Sequence, residues 1–397
     1  MNFHRGRASP RAVRVETRGV GVGRGWRYAT ILLLFHGLSA CTTPDSVGAQ
    51  ESWRTDFDKT TVDPSEIVSG GPPKDGIPAI DSPQFEDVRS ANRYIDGNEP
   101  VAVVRRNGEA KVYPLQILIW HEIVNDVVGG EPISVTYCPL CNTTLAFDRR
   151  FEGMVLDFGT TGRLRLSDLI MYDRQTETWW QQATGEGIVG EHAGRQLTQV
   201  SSPVMRWSDV REQIPEAQVL SRDTGFPDYR QRYGVNPYQG YDTQSGPMAW
   251  TFGRSVPEGL PAMERVVALH LGGESWAVPF GILRERRIAQ LTVGGTDVVV
   301  FFTPETASSV DAERISQGRA VGSATVYSAR LNGRGLNFER VGGETAFRDR
   351  ETGGVWDSSG RAVEGELAGA QLDEVPHGNH FWFAWAVFRP ETRIWGD

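Results

Sequence analysis

The feature that most restricts how this chain can fold is a repeat within itself. "EPVAVVRRNGEAKVYPLQIL" (Glu99 to Leu118) aligns with "ERVVALHLGGESWAVPFGIL" (Glu264 to Leu283), and the next stretch, "VVGGEPISVTYCPLCNTTLAFDR", lies over "TVGGTDVVVFFTPETASSVDAER" without a gap, so Pro139 falls on Pro304. After an insertion in the second copy, "YDRQTETWWQQATGEGIVGE" meets "RDRETGGVWDSSGRAVEGE", and Trp207 finally meets Trp382. Repeated Gly-Gly and Val-rich turns alone would produce scattered matches; colinear ones predict a duplicated folding unit. The copies differ where chemistry would sit. Cys138 and Cys141 become Thr303 and Thr306, while His121 and Glu122 become Arg286 and Arg287.

The segments "VAVVRR", "AKVYP", "PISVTY", "TLAFDR", "MVLDFG" and "DLIMYDR" are short and rich in β-branched and aromatic residues, with Gly, Asn or Asp between them. That pattern predicts antiparallel sheet. "PLQILIWHEIVNDV" predicts a short helix with Pro114 at its start and an apolar stripe through Leu115, Leu118, Ile119 and Ile123, leaving His121 off the stripe. "SPVMRWSDVREQIPEA" and "HFWFAWAVFRPET" predict helices docked by Trp207 and Trp382. The expected fold class is α+β and β-rich: two tandem related β-sheet units with short docked helices, 77–225 and 258–397, separated by an irregular join at 226–257.

An Arg-rich start followed by the short apolar run "ATILLLFHGL" reads as a signal peptide over 1–40. "LSAC" resembles a bacterial lipobox, which would make Cys41 the lipidation site and 41–76 a polar tether; a plain secretory signal is the alternative. The expected location is outside the cytoplasm, periplasmic or cell-surface, with a membrane partner reached through the lipid. A net charge of -9 argues against nucleic acid as a partner. The chain has 3 Cys, so if Cys41 is lipidated the folded body keeps Cys138 and Cys141 alone.

A Cys-x-x-Cys turn brings two sulfurs to one point, and outside the cytoplasm such a pair is bonded, metal-held or kept reduced for use. A thioredoxin-type site needs a helix after the turn; "NTTLAFDRRFEG" predicts strand instead. A structural zinc site needs four ligands, and no second Cys-x-x-Cys exists. His121 is therefore the most economical third ligand for Zn or Cu, with Met171 as a soft addition and the "HGNH" pair, His377 and His380, as an alternative. A structural disulfide in a non-catalytic binding module and a thiol-disulfide oxidoreductase stay open beside transition-metal binding or metal-linked redox chemistry. Glu122, Asn125 and Asp126 could add acid/base groups, or form a polar helix face.

"YPLQILIWHEIVNDVVGGEPISVTYCPLCNTTLAFDR", "GRLRLSDLIMYDRQTETWWQQATGEGIVG", "VLSRDTGF" and the terminal "FWFAWAVFRPET" together resemble domain-of-unknown-function family 3179, over roughly 77–397. The resemblance implies a protein of a kind often exported and assigns no activity. Its pattern points to His121, Glu122, Asn125, Asp126, Cys138, Pro139, Cys141, Ser167, Tyr172, Asp173, Arg174 and Trp180.

Overall fold

The computed structural model describes residues 52–342 and 345–396. The expected signal peptide, Cys41 and the first part of the expected tether lie outside them. Strand outweighs helix, 40% to 13%, which makes the fold the β-rich α+β class that the short alternating segments predict.

Alternation of apolar and polar residues builds each hairpin. Pro100–Arg106 pairs antiparallel with Glu109–Pro114, and Ile123–Val128 with Glu131–Cys138 across the Gly129-Gly130 turn, whose positive φ values suit glycine. Between the hairpins runs the helix Leu115–His121, started by Pro114 in extended conformation. It is shorter than the apolar stripe predicts. Glu122 takes a left-handed φ of 58°, and the β-branched run after it makes the first strand of the second hairpin, so Ile123 belongs to a sheet. His121, expected off the buried stripe, is fully buried.

The same elements recur with the same spacing in the second half. Arg265–Leu271, Glu274–Pro279, the helix Phe280–Arg286, Ile288–Val293 and Thr296–Thr303 follow in order, each 165 residues on, and Arg287 repeats the left-handed cap at φ 66°. In each half a third strand completes the second hairpin's sheet, Thr143–Asp148 in the first and Ser323–Ser328 in the second.

A further antiparallel sheet in the first half runs Ile67–Ser69, Phe158–Arg165, Asp168–Asp173, Trp179–Gln181 and Glu186–Val189, so part of the expected tether at 41–76 is a strand of the fold. Both halves belong to one compact unit. Gly378–Phe381 pairs with Arg265–Leu271 while its Phe381 N–H donates to the Cys141 carbonyl at 3.0 Å. The join at 226–257 is also part of the core: Tyr233, Tyr241 and Phe252 are buried in the same apolar cluster as Cys138 and Cys141. Asp242 within it forms a buried ion pair with Arg265 at 2.8 Å.

Candidate metal centre

Cys138 ends the strand Glu131–Cys138, and Pro139 opens the turn that returns the chain through Cys141 to Thr143. Asn142 closes the turn with φ 52°, a left-handed conformation that asparagine tolerates, and its N–H reaches the Pro139 carbonyl at 3.2 Å. Both sulfurs then face one point. The Cys141 thiol donates to the Ser167 carbonyl at 3.5 Å and the Cys138 thiol to the same oxygen at 3.8 Å. Both thiols are free and buried.

Ser167 reaches the sulfurs because of an unusual hairpin. Arg165 pairs with Asp168, leaving Leu166 and Ser167 as a two-residue loop with φ 55° and 67°. Two successive positive φ values define a turn that Asn-Gly or Gly-Gly fills at low cost, so Leu-Ser there is strained. Thr251 of the join holds it: the Ser167 N–H donates to the Thr251 carbonyl at 2.9 Å, and the two hydroxyls lie 2.6 Å apart.

The residue after this turn completes the site. One ligand atom from each of Cys138, Cys141 and Asp168 lies within 4.8 Å of the others. Asp168 Oδ2 accepts from the Gln181 amide at 2.6 Å and the Ala183 N–H at 2.8 Å, whereas Oδ1 is buried without a hydrogen-bond partner in the protein. Glu122 stands close by: its carbonyl accepts from the Tyr137 N–H at 2.8 Å, next to Cys138.

Burial raises the proton affinity of all four acids. Burial pushes Glu122 up to about 8, with the Asp168 charge adding to it. Burial pushes Asp168 up to about 6. Burial also raises both thiols, Cys141 well above the usual range; the Asp168 charge adds to both, while the neighbouring sulfur raises Cys141 and lowers Cys138. A thiol so placed is a poor nucleophile but a good ligand once a cation replaces its proton.

The other residues named from the sequence are placed as follows. His121 is bonded at both nitrogens, Nδ1 donating to the Pro78 carbonyl and Nε2 accepting from the Tyr233 hydroxyl, each at 2.7 Å. Phe226, Tyr229 and Tyr233 pack on its ring. It clasps the join to the first half and is not among the ligand atoms grouped with the sulfurs. Asn125 bonds Asp81 and the Phe158 backbone. Asp126 accepts from Lys111 at 3.0 Å and from the Tyr113 hydroxyl at 2.6 Å. Tyr172 and Arg174 reach Asp75 and Asp81. Met171 is buried opposite Trp180 in the neighbouring strand.

Asp173 accepts from the Trp180 indole at 2.9 Å and from the Thr176 N–H at 2.6 Å. Asp349 does the same with Trp356 at 2.9 Å and Thr352 at 2.6 Å. A device present in both halves is scaffold. His377 and His380 are likewise outside the sulfur group.

In the second half Thr303 and Thr306 occupy the cysteine positions, and both hydroxyls bond Ser323 Oγ, at 3.0 and 2.8 Å. That cluster satisfies itself. The first half's does not, since Asp168 Oδ1 is left over. Asp168 was missed in the sequence because it lies far along the chain from the cysteines; its only signal was adjacency to Ser167.

Fold and site together define a β-rich α+β protein with a buried dithiol–carboxyl centre in one of two similar halves. The family described as "Protein of unknown function (DUF3179)" matches residues 74–392, and the chain belongs to it. No curated protein and no solved structure matches the chain.

Proposed function

We propose that this is an exported, lipid-anchored metal-binding protein, with Cys138, Cys141 and Asp168 as ligands and Glu122 as a nearby buried acid whose charge acts on Asp168 and Cys138. The observation that carries the reading is Asp168 Oδ1, a buried carboxylate oxygen with no partner in the protein, beside two free thiols. Leaving such an oxygen unpaired costs about 1–3 kcal/mol. A divalent cation would satisfy it and replace the thiol protons. Two thiolates with one or two carboxylates suit Zn(II), whose bonds to sulfur and oxygen are about 2.3 and 2.0–2.2 Å. The present ligand spacing needs only a modest contraction. Burial on all sides favours a structural or storage role over catalysis at the ion.

Metal analysis of the chain purified without an affinity tag tests this. The wild type should carry one equivalent that a Cys138→Ser/Cys141→Ser variant lacks and Asp168→Asn weakens. If the double variant keeps the wild-type metal content, or thiols titrate only after reduction, the centre is no metal site.

A further inference from the structure

Two cavities are lined by positions that the sequence alignment of the halves equates, and they differ in charge. One, of about 580 Å³, is lined by Arg105, Ser359, Gln371, Glu374 and Ile214. The other, of about 270 Å³, has His270, Ala183, Gln196, Gln199 and Arg389 at the aligned positions. We propose that the smaller cavity binds a small organic carboxylate, with the carboxylate group on Arg389 and an apolar or aromatic body against Trp385.

The larger cavity satisfies its own charge. Arg105 Nη1 lies 2.8 Å from Glu374 Oε1 in a partly buried ion pair, and Glu109, Glu216 and Asp373 line the same space as Arg106 and Arg361. In the smaller cavity Gln199 takes the place of Glu374, and its amide donates to the His377 carbonyl at 3.1 Å. Arg389 stands where the first half buries Ile214, which is 2% exposed. An acid has gone and a cation has been added.

No Asp or Glu is among the described residues that line the smaller cavity, and among the described residues Arg389 has no ion pair. Its side chain makes one hydrogen bond, from Nη1 to the neighbouring Phe388 carbonyl at 3.3 Å, while its buried Nε has no partner. Glu391 feels the Arg389 charge, but it is exposed and accepts from Ser275 Oγ at 3.0 Å. The histidines add no charge: burial holds His377 and His380 below the ordinary imidazole range, and burial together with the Arg389 charge does the same to His270. The guanidinium is therefore the one full charge lining this space.

The remaining walls suit an organic body better than an inorganic anion. Leu145, Ala183, Ala268 and Pro376 are apolar, and the Trp385 indole, fixed by its Nε1 donating to Thr392 Oγ1 at 2.8 Å, adds an aromatic surface. A guanidinium among apolar walls pairs with a carboxylate through up to two parallel hydrogen bonds, strengthened by the low local dielectric. A few placed polar groups in a mostly apolar lining is the general character of small-molecule sites. Inorganic phosphate would leave those walls without contact.

The test is calorimetric titration of benzoate into the metal-free full chain, so that a cation at the dithiol centre cannot hold the probe. Benzoate should bind with one equivalent, and benzamide, of the same shape without the charge, about 10–100-fold more weakly. Arg389→Gln should weaken benzoate by about the same factor. Gln199→Glu keeps Arg389 and restores the acid of the larger cavity; it should weaken benzoate while leaving benzamide unchanged, and it decides the matter if Arg389→Gln does not fold. Wild-type benzoate affinity in Gln199→Glu or in a folded Arg389→Gln would overturn the proposal. So would the absence of saturable benzoate binding, benzamide binding as tightly as benzoate, or inorganic phosphate displacing benzoate at equal concentration.

Discussion

Replacing Glu122 with Gln should invert the order of stability between low and high pH in the metal-free protein. Glu122 titrates near 8 in the fold, against 4.5 for an ordinary glutamate. The folded state therefore holds its proton more tightly than the unfolded chain, and stability falls as pH rises from about 4.5 to 8. At about 1.4 kcal/mol per pH unit, full ionisation costs about 5 kcal/mol. A glutamine cannot ionise, but its buried amide costs about 1–3 kcal/mol where partners are missing.

The wild type should then be the more stable protein at pH 5 and the variant the more stable by about 2–4 kcal/mol at pH 8.5. Asp168, pushed up to about 6, keeps its own loss over the lower part of the range in both proteins. Urea denaturation with a chelator present, followed by tryptophan fluorescence from pH 5 to 8.5, measures this directly. Saturating Zn(II) should reverse the wild-type trend, because bound metal needs deprotonated ligands and stabilises more as pH rises. Parallel curves for wild type and Glu122→Gln without metal would refute the claim that Glu122 is buried without a countercharge.

Two other outcomes bear on the scaffold. Asp173→Asn and Asp349→Asn should each lower stability by about 1–3 kcal/mol in thermal melts while leaving metal content unchanged, since each carboxylate holds a Trp indole and a Thr turn in its own half; a silent Asp349→Asn would break that equivalence. Arg265→Ala should cost about 1–3 kcal/mol, because the Asp242 carboxylate loses its buried partner and keeps the more exposed Arg319 at 3.0 Å, and proteolysis should then cut first within 226–257.

The strands were legible because their alternation and Gly turns are local signals: the hairpin Glu131–Cys138 pairs in the register its apolar face requires. The end of the helix at His121 was not, since Glu122 takes a left-handed conformation that no glycine announces. One residue of helix is 100° of rotation, and the early stop leaves Glu122 where its charge acts on Asp168 and Cys138. Nearness along the chain favoured His121, whose nitrogens are taken by Pro78 and Tyr233. Asp168 was hidden for the opposite reason: its position depends on Leu166 and Ser167 adopting a turn their side chains disfavour. The join at 226–257 lacks periodicity and gave no hint of burial, yet it supplies Tyr233, Asp242 and Thr251 to the core.

The contrast between the halves narrows what the first one is for. Similar turns carry hydroxyls at Thr303 and Thr306 and sulfurs at Cys138 and Cys141, so the backbone does not demand thiols. Hydroxyls there close on Ser323 and leave nothing over. Sulfurs face a carbonyl at the long distances of weak thiol donors, beside a carboxylate oxygen with no partner. The carboxyl groups beside the sulfurs cost stability near neutral pH, since burial makes Glu122 and Asp168 hold protons that the unfolded chain would release. A strained turn at Leu166-Ser167 is held by Thr251 at further cost, and it is this turn that delivers Asp168. In the metal-binding role proposed above, a cation at the point on which the two sulfurs and the carboxylate converge would offset those costs.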